Sequence, residues 1–403
     1  MNGLGDPRAL AAYSAAIAVS AEAGRAALIV RLAKALILAG EFAAAFAGLA
    51  AVRSVPPPLL AQFHVARALA LWCTGAIDEA EEAGKEAKRL AEATAELRDF
   101  VDATMVLAMV AHERGAWPQR LSLDLLDPHL APGLAAVVID AHLCVAESYL
   151  DGGVAYDEVT TFARDLQRLG AAAGAPRAEA FATTLLGEAN LLIGDIEAAT
   201  GLLRAAVEQH RRVGVLCGVG LSLQRLAQAH LAGGALEQAQ AALAGALTAA
   251  RGSPVGTRHL LDRVHGTAIR AATDPAAARM AVDEARRGIR GPFETCPPCS
   301  VNLTVPAAIA CADAGDLAGA AAYLARSEEI VAAYYPRGGW HPALDEVRGH
   351  LARAGGDVEA AGRLLRAAGD AFEQLGQRLD AARCRRHQHA LATAGAAGAA
   401  GKV

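Results

Sequence analysis

The phrase GDIEAA, at residues 194–199, has near-copies along the chain: GEFAAA at 40–45, GAIDEA at 75–80, GALEQA at 234–239, GDLAGA at 315–320 and GDVEAA at 356–361. Successive glycines of these copies lie 35, 119, 40, 81 and 41 residues apart, and the long intervals are close to three and two units of about 40. Degenerate copies stand where the missing joints should fall: GAWPQR at 115–120, GGVAYDEV at 152–159 and TDPAAA at 273–278. Nine units of 35–42 residues result. Self-similarity at that period is the signature of a stacked repeat array.

Each copy reads as a helix–turn–helix joint. The glycine ends one helix, because it enters the left-handed region without steric cost. An Asp or Glu then caps the next helix and meets its positive end. The apolar residue of the joint (Phe42, Ile77, Ile196, Leu236, Leu317, Val358) is expected to turn inward, and the small residue after it (Ala198, Ala239, Ala320, Ala361) to let two helices approach. FATTLLGEANLLIG at 181–194 and AATGLLRAAVEQHRRVG at 198–214 carry apolar residues at three- and four-residue spacing on either side of the joint. One hairpin cannot bury its apolar face alone, but a stack of nine can.

The spacing predicts hairpins at 25–53, 58–93, 97–127, 132–169, 175–213, 215–251, 255–290, 298–334 and 340–375, with a closing helix near 377–393. The expected fold is an all-α, right-handed α-solenoid over 25–393. Residues 1–24 form an N-terminal helix or cap, and the Gly/Ala-rich 394–403 a disordered tail.

Composition narrows the function. Hydrophobic residues make 54% of 403, enough for a large core. A net charge of −5, with no basic stretch, argues against direct nucleic-acid binding. The start MNGLGDPRAL lacks the pattern of an export signal, and Arg31 and Lys34 interrupt the most apolar stretch, so neither secretion nor a membrane span is expected. The seven cysteines then read as reduced cytoplasmic thiols.

The joint and its spacing resemble tetratricopeptide repeats. The segment Arg251 to Leu317 and RLLRAAGDAFEQLGQRLDAARCRR at 363–386 are similar to the C-terminal helical array of large actinobacterial ATP-dependent, LuxR-type transcriptional regulators. That resemblance implies a sensor or regulatory region. It does not carry over ATP hydrolysis, because Gly84-Lys85 is followed by Glu86 and no phosphate-binding loop is present. Nor is DNA binding expected to carry over, since these residues read as the array alone, either a stand-alone protein or a sensor segment of a larger one.

Cys296 and Cys299, in CPPC, form the one cysteine pair at motif spacing. With His259 they would make a zinc site, alone they would make a redox pair, and as small apolar residues they would simply pack a loop. His259 and His265 lie six residues apart and cannot grip one ion from one helix face. Arg258, Arg263 and Arg270 share that helix, and such a cationic strip either meets an acidic ligand or pairs with a neighbouring helix. Tyr334, Tyr335, Trp340 and His341 crowd one loop of an aromatic-poor chain, as a contact for a partner or as a packed cluster.

No GxSxG, HExxH or dinucleotide fingerprint occurs, so an enzyme is not expected. Stacked hairpins would leave a concave groove lined by the first helix of each unit, suited to a protein, a peptide or a small effector, with self-association a further use. Polar residues on those helices mark its surface: Asp140, His142, Glu147, Glu188, Asn190, Gln224, Arg225, Gln228, His259 and Arg263. The functional expectation is a binding scaffold acting in signal-responsive regulation. The alternative is a metal- or redox-responsive protein built on Cys296 and Cys299.

Overall fold

The structure is a computed structural model that describes residues 7–127, 137–151, 153–291 and 294–400. Residues 128–136, expected to hold a loop and the start of the fourth hairpin, lie outside the described residues, as does the end of the tail at 401–403. Among the described residues every regular element is helical, and no helix is long and apolar enough to cross a membrane.

The chain divides into two compact units, Met1–Val145 with Arg290–Pro297 and Ala146–Ile289 with Pro298–Val403. The first holds α1 (Pro7–Val19), α2 (Glu22–Leu38), α3 (Phe42–Ala50), α4 (Leu60–Cys73), α5 (Ile77–Thr94), α6 (Leu97–Glu113), α7 (Trp117–Leu126) and most of α8 (Val138–Asp151). The second takes the end of α8 and then α9 (Tyr156–Ala173), α10 (Pro176–Ile193), α11 (Ile196–Arg212), α12 (Leu216–Ala232), α13 (Leu236–Arg251), α14 (Pro254–Arg270) and α15 (Pro275–Gly288). It ends with α16 (Val301–Asp313), α17 (Leu317–Tyr334), α18 (Trp340–Ala354), α19 (Val358–Gln374) and α20 (Arg378–Ala400).

The helices pair as the period requires, from α2 with α3 through α18 with α19, and among the described residues the unit boundaries fall within a few residues of their expected places. The expected tail boundary at 393 falls inside α20, which runs on to Ala400 because Ala-rich sequence favours helix.

The joints explain the pairing. Gly40, Gly75, Gly115, Gly153, Gly194, Gly234, Gly315 and Gly356 all have φ between 67° and 96°. Asp195, Asp316 and Asp357 accept hydrogen bonds from the backbone N–H three residues on, and Asp274 does the same at the joint that lacks a glycine. The sixth residue of each phrase is fully buried: Ala45, Ala80, Ala199, Ala239, Ala320 and Ala361 are all 0% exposed. At the GDIEAA joint it is therefore Ala199, not Ala198, that meets the facing helix. The apolar residue of the joint packs less well than expected. Leu317 and Val358 are exposed, and the others are half-buried. Being the first residue of its helix, each lies at the edge of the stack.

In the first unit, Val30, Ile37, Leu49 and Ala66 make one core and Leu71, Ala83, Val106 and Val110 another, each joining consecutive helices. In the second unit the array curls back on itself: α20 packs against α10, and Leu379 joins the core that contains Leu191 and Leu226. Two backbone features tighten this unit. Pro306, inside α16, has no N–H to give the carbonyl of Asn302. That carbonyl lies against Gly266 of α14, where an added Cβ would fall 1.9 Å from the oxygen.

Gly266→Ala is expected to lower the thermal midpoint well beyond Gly315→Ala. The latter, at φ 82° with open space around it, costs only about 1 kcal/mol of backbone strain. Equal shifts would show that α14 and α16 have room to separate.

Candidate functional site

In the first unit a polar cluster sits under α7. Trp117 Nε1 donates to His142 Nδ1 at 3.2 Å, which leaves the proton of a neutral ring on Nε2, 3.1 Å from Asp124 Oδ2. Arg120 and Lys88 reach the same carboxylate at 2.8 and 3.1 Å. Burial opposes its charge, yet the His142 hydrogen bond and the two cations hold Asp124 well below the usual carboxylate range. Asp140 and His142, expected on a groove, are therefore core residues at 1% and 0% exposure. Cys296 is also buried in this unit, its sulfur 3.0 Å from that of Cys144.

The second unit holds the larger arrangement. Each hairpin lays its first helix on the inner side, and the return of α20 to α10 closes the curl. A cavity of about 500 Å³ remains, lined from α8, α10, α12, α14, α16, α18 and α20. The closure is held at Asp151. Its carbonyl accepts from Gly339 N at 2.7 Å, and its Oδ1 accepts from Gln377 Nε2 at 3.2 Å. A Cβ at Gly339 would sit 2.3 Å from Gln377 Oε1 and push aside the amide that bonds Asp151.

Behind one wall runs a buried chain of charge. Arg225 Nη2 donates to Glu147 at 2.6 Å and its Nε to Glu188 Oε1 at 2.8 Å, and Arg263 Nη1 lies 2.5 Å from Glu147. Burial opposes the charge on Glu147, but two guanidiniums hold its carboxyl below the ordinary value. Glu188 has one arginine and a neighbouring carboxylate, so burial pushes it up to about 7. Asp151 has no direct cation, and burial together with Glu147 pushes it up to about 8. On the opposite wall Arg383 clasps both oxygens of Glu346 at 2.7 Å and also bonds Asp380. Glu346 is held down to about 2 against its burial.

The residues expected to mark a groove thus divide. Arg225, Gln228 and Arg263 face the cavity. Glu147 and Glu188 stand behind them as counter-charges at 1% exposure, and Gln224 donates to Thr267 Oγ1 at 2.7 Å. Asn190 turns back to the carbonyl of Leu186 on its own helix. An open polar surface is not what these side chains form, because their pairing lets them pack inside.

His259 is buried with its Nδ1 3.9 Å from the Cys299 sulfur, which also accepts from Arg263 Nη2 at 3.4 Å. All seven cysteines are in the thiol form, outside any disulfide. The aromatic loop is mostly packed: Tyr335 is 0% exposed and its hydroxyl donates to the carbonyl of Pro298 at 3.0 Å. His341 bonds the Tyr335 carbonyl at 2.8 Å, and Tyr334 packs on the same core. Trp340 alone of the four reaches the cavity.

Sequence reasoning passed over Asp151, Glu346, Gln377 and Arg383. Glu346 and Arg383 were within its reach, for they lie on the inner helices of the last repeats just as Glu188 and Arg225 lie on those of the middle ones.

No family model and no curated protein matches the chain. Among solved structures it is similar to a Rap protein complexed with competence and sporulation factor (12% identity, 96% of this chain and 97% of that one, TM-score 0.38). It is similar as well to the APC/C hetero-tetramer Cut9-Hcn1 (13%, 94% and 81%, TM-score 0.42) and to yeast Tom70 (10%, 95% and 91%, TM-score 0.30). With so little identity, the likeness bears on neither ligand nor partner.

Asp151→Asn keeps the hydrogen bond from Gln377 but cannot ionise. A carboxyl raised in the folded state contributes stability that is full below its unfolded value and lost as pH rises through its folded one. The thermal midpoint of the variant should therefore gain on wild type as pH goes from 5 to about 8, then level off. A difference that stays flat over that window would mean Asp151 ionises normally.

Proposed function

We propose that this chain is a non-enzymatic binding scaffold whose second unit encloses a small effector, and that it serves as the sensor part of a signal-responsive transcriptional regulator. The cavity carries the reading. Its volume of about 500 Å³ suits a small ligand, and its walls combine apolar side chains with a few fixed charges. The closure at Asp151 depends on single contacts between chain segments far apart in sequence, so an effector bound inside would bias whether the curl is open or closed. The two stretches that resemble the sensor arrays of LuxR-type regulators, 251–317 and 363–386, supply α14 to α16 and parts of α19 and α20, which border this cavity. A protein or peptide partner would then read the state of the curl from outside.

A thermal-shift screen of small neutral, cationic and anionic compounds tests this. An effector present at a hundredfold over its Kd stabilises by about 2.7 kcal/mol. At least one compound should raise the midpoint of wild type but not of Ile309→Trp, which fills the cavity while leaving the helical circular dichroism intact. Compounds that shift both proteins alike, or none that shifts wild type, would remove the cavity from the function.

A further inference from the structure

We propose that Glu346, His350 and His387 form a binding site for a divalent transition metal of the zinc class at the cavity wall, a role that stands whether or not the cavity also takes an effector.

The placement of the three residues comes first. Glu346 and His350 lie four residues apart on α18, so their side chains share one face of the helix. α20 brings His387 against them, and the two histidine rings meet edge to face with centroids 4.6 Å apart. One ligating atom from each of the three residues lies within 4.8 Å of the other two. Tetrahedral zinc holds nitrogen and oxygen ligands at about 2.0–2.1 Å, and so about 3.3 Å from one another. Side-chain rotation covers the difference, and His387, half-buried at the edge of the cavity, has room to turn.

The state of His350 points to a ligand. The residue is 1% exposed, and its Nδ1 lies 2.7 Å from Asp313 Oδ1. A carboxylate only accepts, so the proton of a neutral ring sits on Nδ1 and leaves a lone pair on Nε2. That Nε2 is buried and meets no hydrogen-bond partner among the described residues. A carboxylate that fixes one imidazole nitrogen while the other stands bare is the arrangement that orients a histidine ligand towards a metal. Glu346 is oriented in the same way. Arg383 bonds each of its oxygens once at 2.7 Å, which sets the plane of the carboxylate and leaves a further lone pair on both.

The surrounding charge admits a cation. Three carboxylates, Glu346, Asp313 and Asp380, are in contact with two guanidiniums, Arg383 and Arg353. Arg270 also acts on Glu346, but it is solvent-exposed and its charge is screened. Two imidazoles with one carboxylate suit zinc and its neighbours, whereas magnesium and calcium take oxygen ligands. Three protein ligands leave a fourth position open. Glu346 and His387 both line the cavity, so that position faces it.

The test is zinc titration of the full chain after stripping with EDTA, followed by calorimetry and read as a difference, because thiols elsewhere in the chain can also take zinc. Wild type should bind one equivalent more than His387→Gln, with the helical circular dichroism of the two alike. His389→Gln, an exposed histidine on the same helix, should bind as wild type does. With Co2+ as the probe, the wild-type spectrum minus that of His387→Gln should show d–d bands and no thiolate charge-transfer band. His387→Cys should restore the lost equivalent and add that band, and it decides alone if His387→Gln loses its fold. Equal stoichiometry in wild type and His387→Gln, the same loss in His389→Gln, thiolate character in the difference spectrum, or a His387→Cys protein without the added band would each overturn the proposal. The thermal-shift screen, run in EDTA, reads the cavity independently of the metal, so failure of one leaves the other standing.

Discussion

The closure at Asp151 is the contact on which the second unit depends. A stack of hairpins ordinarily touches only its neighbours and can lengthen without limit. Here Asp151, at the end of α8, bonds Gly339 and Gln377, almost two hundred residues or more away in the chain, and α20 lies against α10. These contacts turn a one-dimensional stack into a curl with an inside. Polar side chains that would line an open groove instead pack around a partly open cavity, and the charges buried behind its walls are settled by one another.

The charge pattern follows from that enclosure. A buried arginine beside two carboxylates, or a buried carboxylate clasped by an arginine, keeps its ionised form and holds its helices in one register. Glu147, Arg225, Glu188 and Arg263 do this across α8, α10, α12 and α14, and Glu346 with Arg383 does it across α18 and α20. Asp151 is left without a direct cation, and it is relieved by taking up a proton.

How far the sequence could be read depends on the range of the forces involved. The joints are local: a glycine at positive φ, an aspartate three residues before the N–H it caps and an alanine at the sixth place act within one turn. The glycine and the capping aspartate were legible in the GDIEAA family of phrases, and so was the alanine except at 194–199, where Ala199 rather than Ala198 is buried. The inward turn of Leu317 and Val358 was not, because the first residue of a helix lies at the edge of the stack, where the neighbouring unit decides its exposure. Inner-face polar residues were legible as a class, since Glu147, Arg225 and Arg263 recur on first helices. Their burial was not, because it needs partners such as Glu188 and Arg225, 37 residues apart, to meet.

The sequence by itself determined the period, the hairpins and the side of each hairpin that faces inward, because those follow from helical spacing and turn chemistry. It also placed Arg263 and Arg270 on one helix, with pairing or ligand binding both open to them. Only the tertiary structure gave Arg263 its partner, Glu147, from a helix more than a hundred residues earlier. The physical reason is distance along the chain. Closure brings α20 and α18 against the earlier repeats, and no local pattern records which charges that long return will bring together.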